Sequence, residues 1–276
     1  MMIPSDLMLE QLETAEMPLP QGIRQYREQL KHCTVTEVKV TDEEGAAALG
    51  RRVGRYITVE TEKNYEIGEP AFEEISDCLA LRLRQFLKNK KRILVLGIGN
   101  PSITPDSLGS KTVERILVSE EIAAMAPPVY GQSGIEGATV AKGLAKYYCP
   151  EAIVLVDALA TARPERLCRT VQLADTGLTP GGGVGNPRKE IDLDTVGVPV
   201  LSVGIPTVLD LRALLRHVSE DWEDLSQKLS PFEESLVATP RQMEAATDMG
   251  ARIIAFALNK AFYPQLTTED ILKYLY

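Results

Sequence analysis

Ile93-Leu94-Val95-Leu96-Gly97-Ile98-Gly99-Asn100-Pro101-Ser102-Ile103-Thr104-Pro105-Asp106 opens as a buried strand and closes on an aspartate. Ile153-Val154-Leu155-Val156-Asp157 repeats that pattern further along. Short, continuous, branched apolar runs of this kind are the mark of parallel strands covered on both faces. In open α/β sheets, ligands bind outside the carboxyl ends of the strands. Aspartates at two neighbouring strand ends can therefore face one another across one crevice. Facing carboxylates repel, so one holds a proton while the other stays ionised, which is the division of labour that water-driven hydrolysis needs.

The rest of the chain is consistent with such a sheet. Further strands are expected at Thr34–Val40, Tyr56–Val59, Thr170–Leu173 and Val200–Val203, from β-branched runs bounded by charged or turn residues. Helical patterns near Ala71–Leu87, Leu108–Leu117, Ile135–Tyr148 and Val208–Leu215 alternate with them. This order predicts an α/β fold, a mostly parallel sheet with helices on both faces. A last helix is expected to start at Thr239 as its cap, with Pro240 in the first turn and Gln242 closing a capping box. Its residues Met243, Ala246, Ile253, Ala257 and Leu258 fall largely on one face.

Composition narrows the function classes. Apolar residues make up 44% and charged residues 25% of the 276 positions, as in an ordinary water-soluble protein with an ample core. No apolar run approaches the roughly 20 residues that span a bilayer, and Met1-Met2-Ile3-Pro4-Ser5-Asp6 has no basic flank before an apolar stretch, so a cytoplasmic protein without membrane contact is expected. The formal net charge of -9 argues against direct nucleic-acid binding. Cys33, Cys78, Cys149 and Cys168 are widely spaced, which suggests reduced thiols and neither a disulfide framework nor a zinc site.

Other chemistries fit less well. Gly97-x-Gly99 fails the dinucleotide fingerprint at Ser102, and Pro101 disturbs a helix start there, so the glycines and Asn100 read as a tight turn that brings Asp106 back over the sheet. Thr179–Asn186 is glycine-rich but lacks the Gly-Lys-Ser/Thr of a Walker loop. Its amides, with Gly182 and Gly183, can hold an extended peptide or stabilise an oxyanion, and Arg188 and Lys189 can hold an acidic side chain; a surface loop with solvated charges is the alternative. Gly131-Gln132-Ser133-Gly134 does not complete a serine nucleophile motif, and His32 and His217 are the only histidines, which leaves a serine triad, a Cys–His pair and a metal site poorly supplied. For Asp106 and Asp157 themselves, capping of a following helix stands beside catalysis. Asp175 is a third carboxylate that either assists or closes a turn.

Gly97-Ile98-Gly99-Asn100 with Thr104-Pro105-Asp106-Ser107-Leu108-Gly109 resembles the signature of the germination protease family. The resemblance continues in order through Leu49-Gly50-Arg51, Gly54–Glu60, Gly134-Ile135-Glu136, Val156–Ala160, Asp175-Thr176-Gly177, Pro180–Asn186 with Arg188-Lys189-Glu190, Gly197–Val200 and Gly204–Val208. It implies the fold shared with hydrogenase maturation proteases, and an endopeptidase that degrades small acid-soluble spore proteins during germination in the spore core. Asp106 and Asp157 carry catalysis on this resemblance, Asp175, Gly182, Gly183, Arg188 and Lys189 hold substrate, and no cofactor is required. It further implies a homo-oligomer, a tetramer in the family.

Two other readings stay open beside it. The first block also resembles the hydrogenase maturation proteases, and a noncatalytic peptide-binding relative would keep the same fold. The chain departs from the family in being shorter after Pro206-Thr207-Val208 and in reading Asn100-Pro101-Ser102 where an aromatic residue is usual. Family members remove their own N-terminal segment, and Ser5-Asp6-Leu7-Met8 resembles both that processing site and the substrate pattern of a hydroxyl, an acidic and an apolar residue. Residues 1–6 are then a short propeptide ahead of a single peptidase domain over residues 7–276, cut between Asp6 and Leu7. Asp6 would rest against Arg188 or Lys189 and Leu7 in an apolar pocket.

Overall fold

A computed structural model describes residues 5–15, 18–61, 66–182, 185, 188–219, 225, 227 and 236–275. In chain order the strands are β1 (Ile23–Gln29), β2 (Cys33–Val40), β3 (Gly54–Thr61), β4 (Ile93–Gly97), β5 (Ile122–Met125), β6 (Ala152–Thr161), β7 (Thr170–Ala174), β8 (Val200–Asp210) and β9 (Val237–Ala238). They form one sheet in the order β1-β2-β3-β7-β8-β6-β4-β5, with β9 paired to β8.

The α/β class holds, and the sheet is mixed. It is parallel across β8, β6, β4 and β5 and antiparallel across β1, β2, β3, β7 and β8. The expected parallel character therefore applies to the half containing both quoted stretches. The other half is built from neighbours that need no helical crossover, such as β1 and β2, whose connection is only three residues long.

Alternation along the strands divides the interior. Ile93 and Val95 of β4, with Val154 and Val156 of β6, face one apolar cluster, while Leu94 and Leu96, with Ile153 and Leu155, face another. The first is covered by helices Pro70–Phe86 and Met243–Phe262. Phe72, Ile75, Leu79 and Leu83 form the buried stripe of the former at three- and four-residue spacing, and Phe72 meets Phe256 edge to face at 5.2 Å. The second lies under helix Gly137–Tyr148, whose inward residues Ala138, Ala141 and Ala145 are small enough for close approach to the sheet. A third cluster packs the N-terminal helix Met8–Glu13 against Val38, Val40 and Tyr56.

Several boundaries differ from expectation. Val208–Asp210 extends β8, so the helix after it spans Leu211–Val218, capped by the Asp210 carboxylate at the Ala213 amide. The long C-terminal helix begins at Met243, and Gln242 makes no side-chain cap. The reason lies upstream: Val237 and Ala238 pair with Asp210 and Leu209, so the chain arrives extended and must turn before it coils. β1 was unforeseen because its side chains are mostly exposed and polar and give no alternating signal.

Candidate active site

Asp106 is set by an unusually close packing of backbone. β4 ends at Gly97, and Thr104–Asp106 forms a short 3-10 turn that returns over the strand end. Gly99 has φ +112°, and a Cβ there would lie 2.0 Å from the Asp106 carbonyl oxygen. A Cβ at Gly97 would lie 2.2 Å from the Gly109 carbonyl oxygen, so both glycines are required by space, and Gly99 by its conformation as well. The Asp106 carboxylate accepts the Asn100 N–H at 2.6 Å across this loop. It does not cap the following helix, Leu108–Val113, whose start has no side-chain cap. Gly99→Ala is therefore expected to cost about 1–3 kcal/mol in stability and to displace Asp106; a urea titration and an activity assay check the two losses together.

Asp157 sits within β6 and does not end it. It pairs with Gly204 of β8 but lies one residue past Val156, the last to pair with β4, so it overhangs the end of its other neighbour. Among the described residues its carboxylate accepts the adjacent Ala158 N–H alone, at 2.9 Å, and no helix follows directly for it to cap. Burial first, then the negative charges of Asp106 and Asp6, hold its pKa well above the ordinary value. Burial also raises Asp106, against the opposing Asn100 N–H. Both carboxyls therefore give up their protons less readily than a free aspartate does, Asp157 in part because of the negative charge of Asp106.

Both aspartates line a cleft of about 1080 Å³. Gly182 and Arg188 line it as well, while Asp175 and Lys189 do not. Gly183 lies outside the described residues, as does the side chain of His217. The glycine-rich excursion is closed at its base by paired hydrogen bonds between Leu178 and Ile191. Arg188 stacks 5.0 Å over the Tyr130 ring. Asp175 faces the start of β3, where its carboxylate accepts the Arg55 N–H at 2.7 Å.

The N-terminal segment runs through the same cleft. Ser5 and Asp6 line it, and Leu7 is fully buried. The Asp6 carboxylate accepts the Ala160 N–H at 2.8 Å, with the positive charge of Arg51 nearby. Arg51 also donates to the Ser5 carbonyl. This corrects the expected contact of Asp6 with Arg188 or Lys189: the cation comes from the loop before β3, and the loop carrying Arg188 turns it onto Tyr130 instead. Gln172 of β7 also escaped the sequence reading. Its Nε2 donates to the Asp6 carbonyl at 2.8 Å and its Oε1 accepts the Met8 N–H at 2.6 Å.

The family model for germination protease matches residues 6–220. The chain belongs to the germination protease family. A germination protease of Clostridium tetani is 32% identical over 92% of this chain and 91% of its own length. One from Caldanaerobacter subterraneus subsp. tengcongensis is 32% identical over 98% and 97%. Family membership makes the chain a peptidase. Among solved structures, a [NiFe] hydrogenase maturation protease, HycI of Thermococcus kodakarensis KOD1, is similar over 64% of this chain and 98% of its own, at 17% identity and a TM-score of 0.37, too distant to bear on the assignment. Among the described residues, no helix is long and apolar enough to cross a membrane.

Proposed function

We propose that this peptidase is an endopeptidase of spore germination that cuts small acid-soluble spore proteins through the Asp106–Asp157 pair. The observation that carries the reading is the shared cleft: Asp106 and Asp157, two carboxylates with raised pKa values, line it together with the chain's own Ser5 and Asp6. Ionised Asp106 takes a proton from water as the water oxygen adds to the scissile carbonyl carbon. Protonated Asp157 donates toward the carbonyl oxygen. Collapse of the tetrahedral species breaks the C–N bond, the departing nitrogen takes the proton held by Asp106, and Asp157 recovers its own from the collapsing hydroxyl, leaving a carboxylic acid and an amine. Gly182 and Arg188 line the path for the substrate, and Asp175 steadies the β3 end beside it. The cytoplasm of the spore core and a homo-oligomeric, tetrameric state belong to the same reading, and light scattering on the eluting protein tests the latter.

The pH dependence follows from the two shifts. Activity rises as Asp106 loses its proton and falls as Asp157 loses its own, and since both pKa values are raised, the active window lies above the ordinary aspartate range. A rate profile of kcat/KM checks this; a profile set by one thiol, with complete loss on alkylation, contradicts it.

The segment in the cleft extends the proposal to precursor control. Cleavage between Asp6 and Leu7 would release residues 1–6 and open the site. Incubating the full-length chain under mildly acidic, dehydrating conditions and sequencing its new terminus tests this: Leu7 as first residue is expected, and an intact Met1 in an already active enzyme contradicts it.

A further inference from the structure

The side-chain amide of Gln172 lies along the peptide bond that the proposed cleavage would break. One end donates to the Asp6 carbonyl oxygen, and the other accepts from the Met8 amide. An amide has one donor end and one acceptor end, so only one orientation satisfies both partners. A carboxylate lacks the donor and an aliphatic side chain lacks both.

The two contacts resemble those of a neighbouring β-strand, and they bracket Leu7 between them. On the opposite side, Ala160 of β6 accepts the Asp6 N–H at 3.1 Å and donates to its carboxylate. The segment is thus fixed in a single register largely through its main chain, with the Asp6 carboxylate held and the Leu7 side chain buried. Gln172 is itself about 9% exposed, and a buried amide left without partners costs free energy. An emptied cleft therefore favours whichever extended backbone restores both bonds.

We propose that Gln172 is a catalytic residue that grips the backbone of any bound substrate and donates a hydrogen bond to its scissile carbonyl. As water adds, that oxygen gains negative charge, and a donor already aimed at it in a water-poor site strengthens its bond at that moment. The acidic residue before the cut is read by the Ala160 amide and Arg51, while Gln172 acts on the chemistry whatever the side chain. This role rests on the cleavage proposed above and goes beyond it by naming the donor.

The test compares full-length wild type, Gln172→Leu and Gln172→Glu for self-cleavage after Asp6 and for cleavage of a small acid-soluble spore protein, across pH, with thermal melts in parallel. Gln172→Leu is expected to lower kcat by about 10²-fold at every pH, on the scale of losing one such donor. Gln172→Glu keeps the shape, and its carboxylate cannot donate when ionised but can when protonated. Its rate relative to wild type should fall by a similar factor at neutral pH and recover as the pH is lowered. A merely structural role would lower the melting temperature and leave that ratio independent of pH. Folded variants that cut at wild-type rates, or a flat ratio for Gln172→Glu, would overturn the role of Gln172 alone. A wild-type chain that cuts neither itself nor the spore protein would overturn the peptide-cutting proposal and this role with it.

Discussion

Asp157→Asn is expected to lower peptidase activity by about 10²–10⁴-fold, the usual worth of a positioned acid or base, and at the same time to stabilise the protein at neutral pH. The two effects share one cause. Asp157 is only 6% exposed and lies near two other carboxylates, so its charged form is disfavoured in the fold. The folded chain therefore binds this proton more tightly than the unfolded chain does. The stability linked to it is fully present below the ordinary aspartate value and is lost as the pH rises through the raised value of the folded state. Asparagine can still accept the Ala158 N–H but carries no charge. The variant should melt above wild type at pH 7, with the advantage vanishing as the pH falls to roughly 4. Asp106→Asn should lose activity comparably, and because the two groups act as a unit, the double variant should be little worse than either single one. Melting curves and initial rates for the three variants across pH check this. Full activity in both Asn variants would return these residues to a purely structural role.

The largest expected loss of stability comes from Arg166→Met. Arg166 is 6% exposed and gathers three carboxylates: Glu60 at 2.9 Å, Glu13 through two hydrogen bonds, and Glu10 at 3.6 Å. Glu10 and Glu13 belong to the N-terminal helix, and Glu10 also accepts the Ala162 N–H, which ties that helix to the end of β6. Methionine fills much of the same volume and leaves the carboxylates facing one another without a cation. Removing one partner from a buried ionic cluster costs about 3–5 kcal/mol, and the lower end applies here because Glu13 and Glu60 are partly exposed. The loss should fall on the N-terminal segment first. Hydrogen exchange should speed up at the amides of Met8–Glu13 far more than in β4 or β6, and uniform acceleration throughout the sheet would contradict this.

The site-bearing half of the sheet was legible because its strands are buried on both faces. Ile93–Leu96 and Ile153–Val156 have no polar residue to blur them, and the glycines around Asn100 signalled a turn whose tightness the close approach of Gly99 to Asp106 explains. β1 was illegible because an exposed edge strand needs no apolar alternation. Asp157 was placed at a strand end, whereas β6 continues to Thr161, sustained by pairing with β8 that no local pattern encodes. Gln172 was invisible for a different reason. A polar residue alternating with Val171 and Leu173 reads as facing solvent, and only the presence of Asp6 and Met8, more than 160 residues away in sequence, gives its amide a task. Arg51 was overlooked as the cation near Asp6 because Arg188 and Lys189 stood in a glycine-rich loop that looked built for binding.

We propose that the Asp106–Asp157 pair activates water to cut after an acidic residue. Digestion of a purified small acid-soluble spore protein in water enriched in oxygen-18, with the fragments read by mass spectrometry, tests it most directly. Wild-type protein should cut between an acidic and an apolar residue and place one heavy oxygen in each new carboxyl terminus, while Asp106→Asn and Asp157→Asn should produce almost no fragments. Specific, labelled fragments from both Asn variants at the wild-type rate would contradict it.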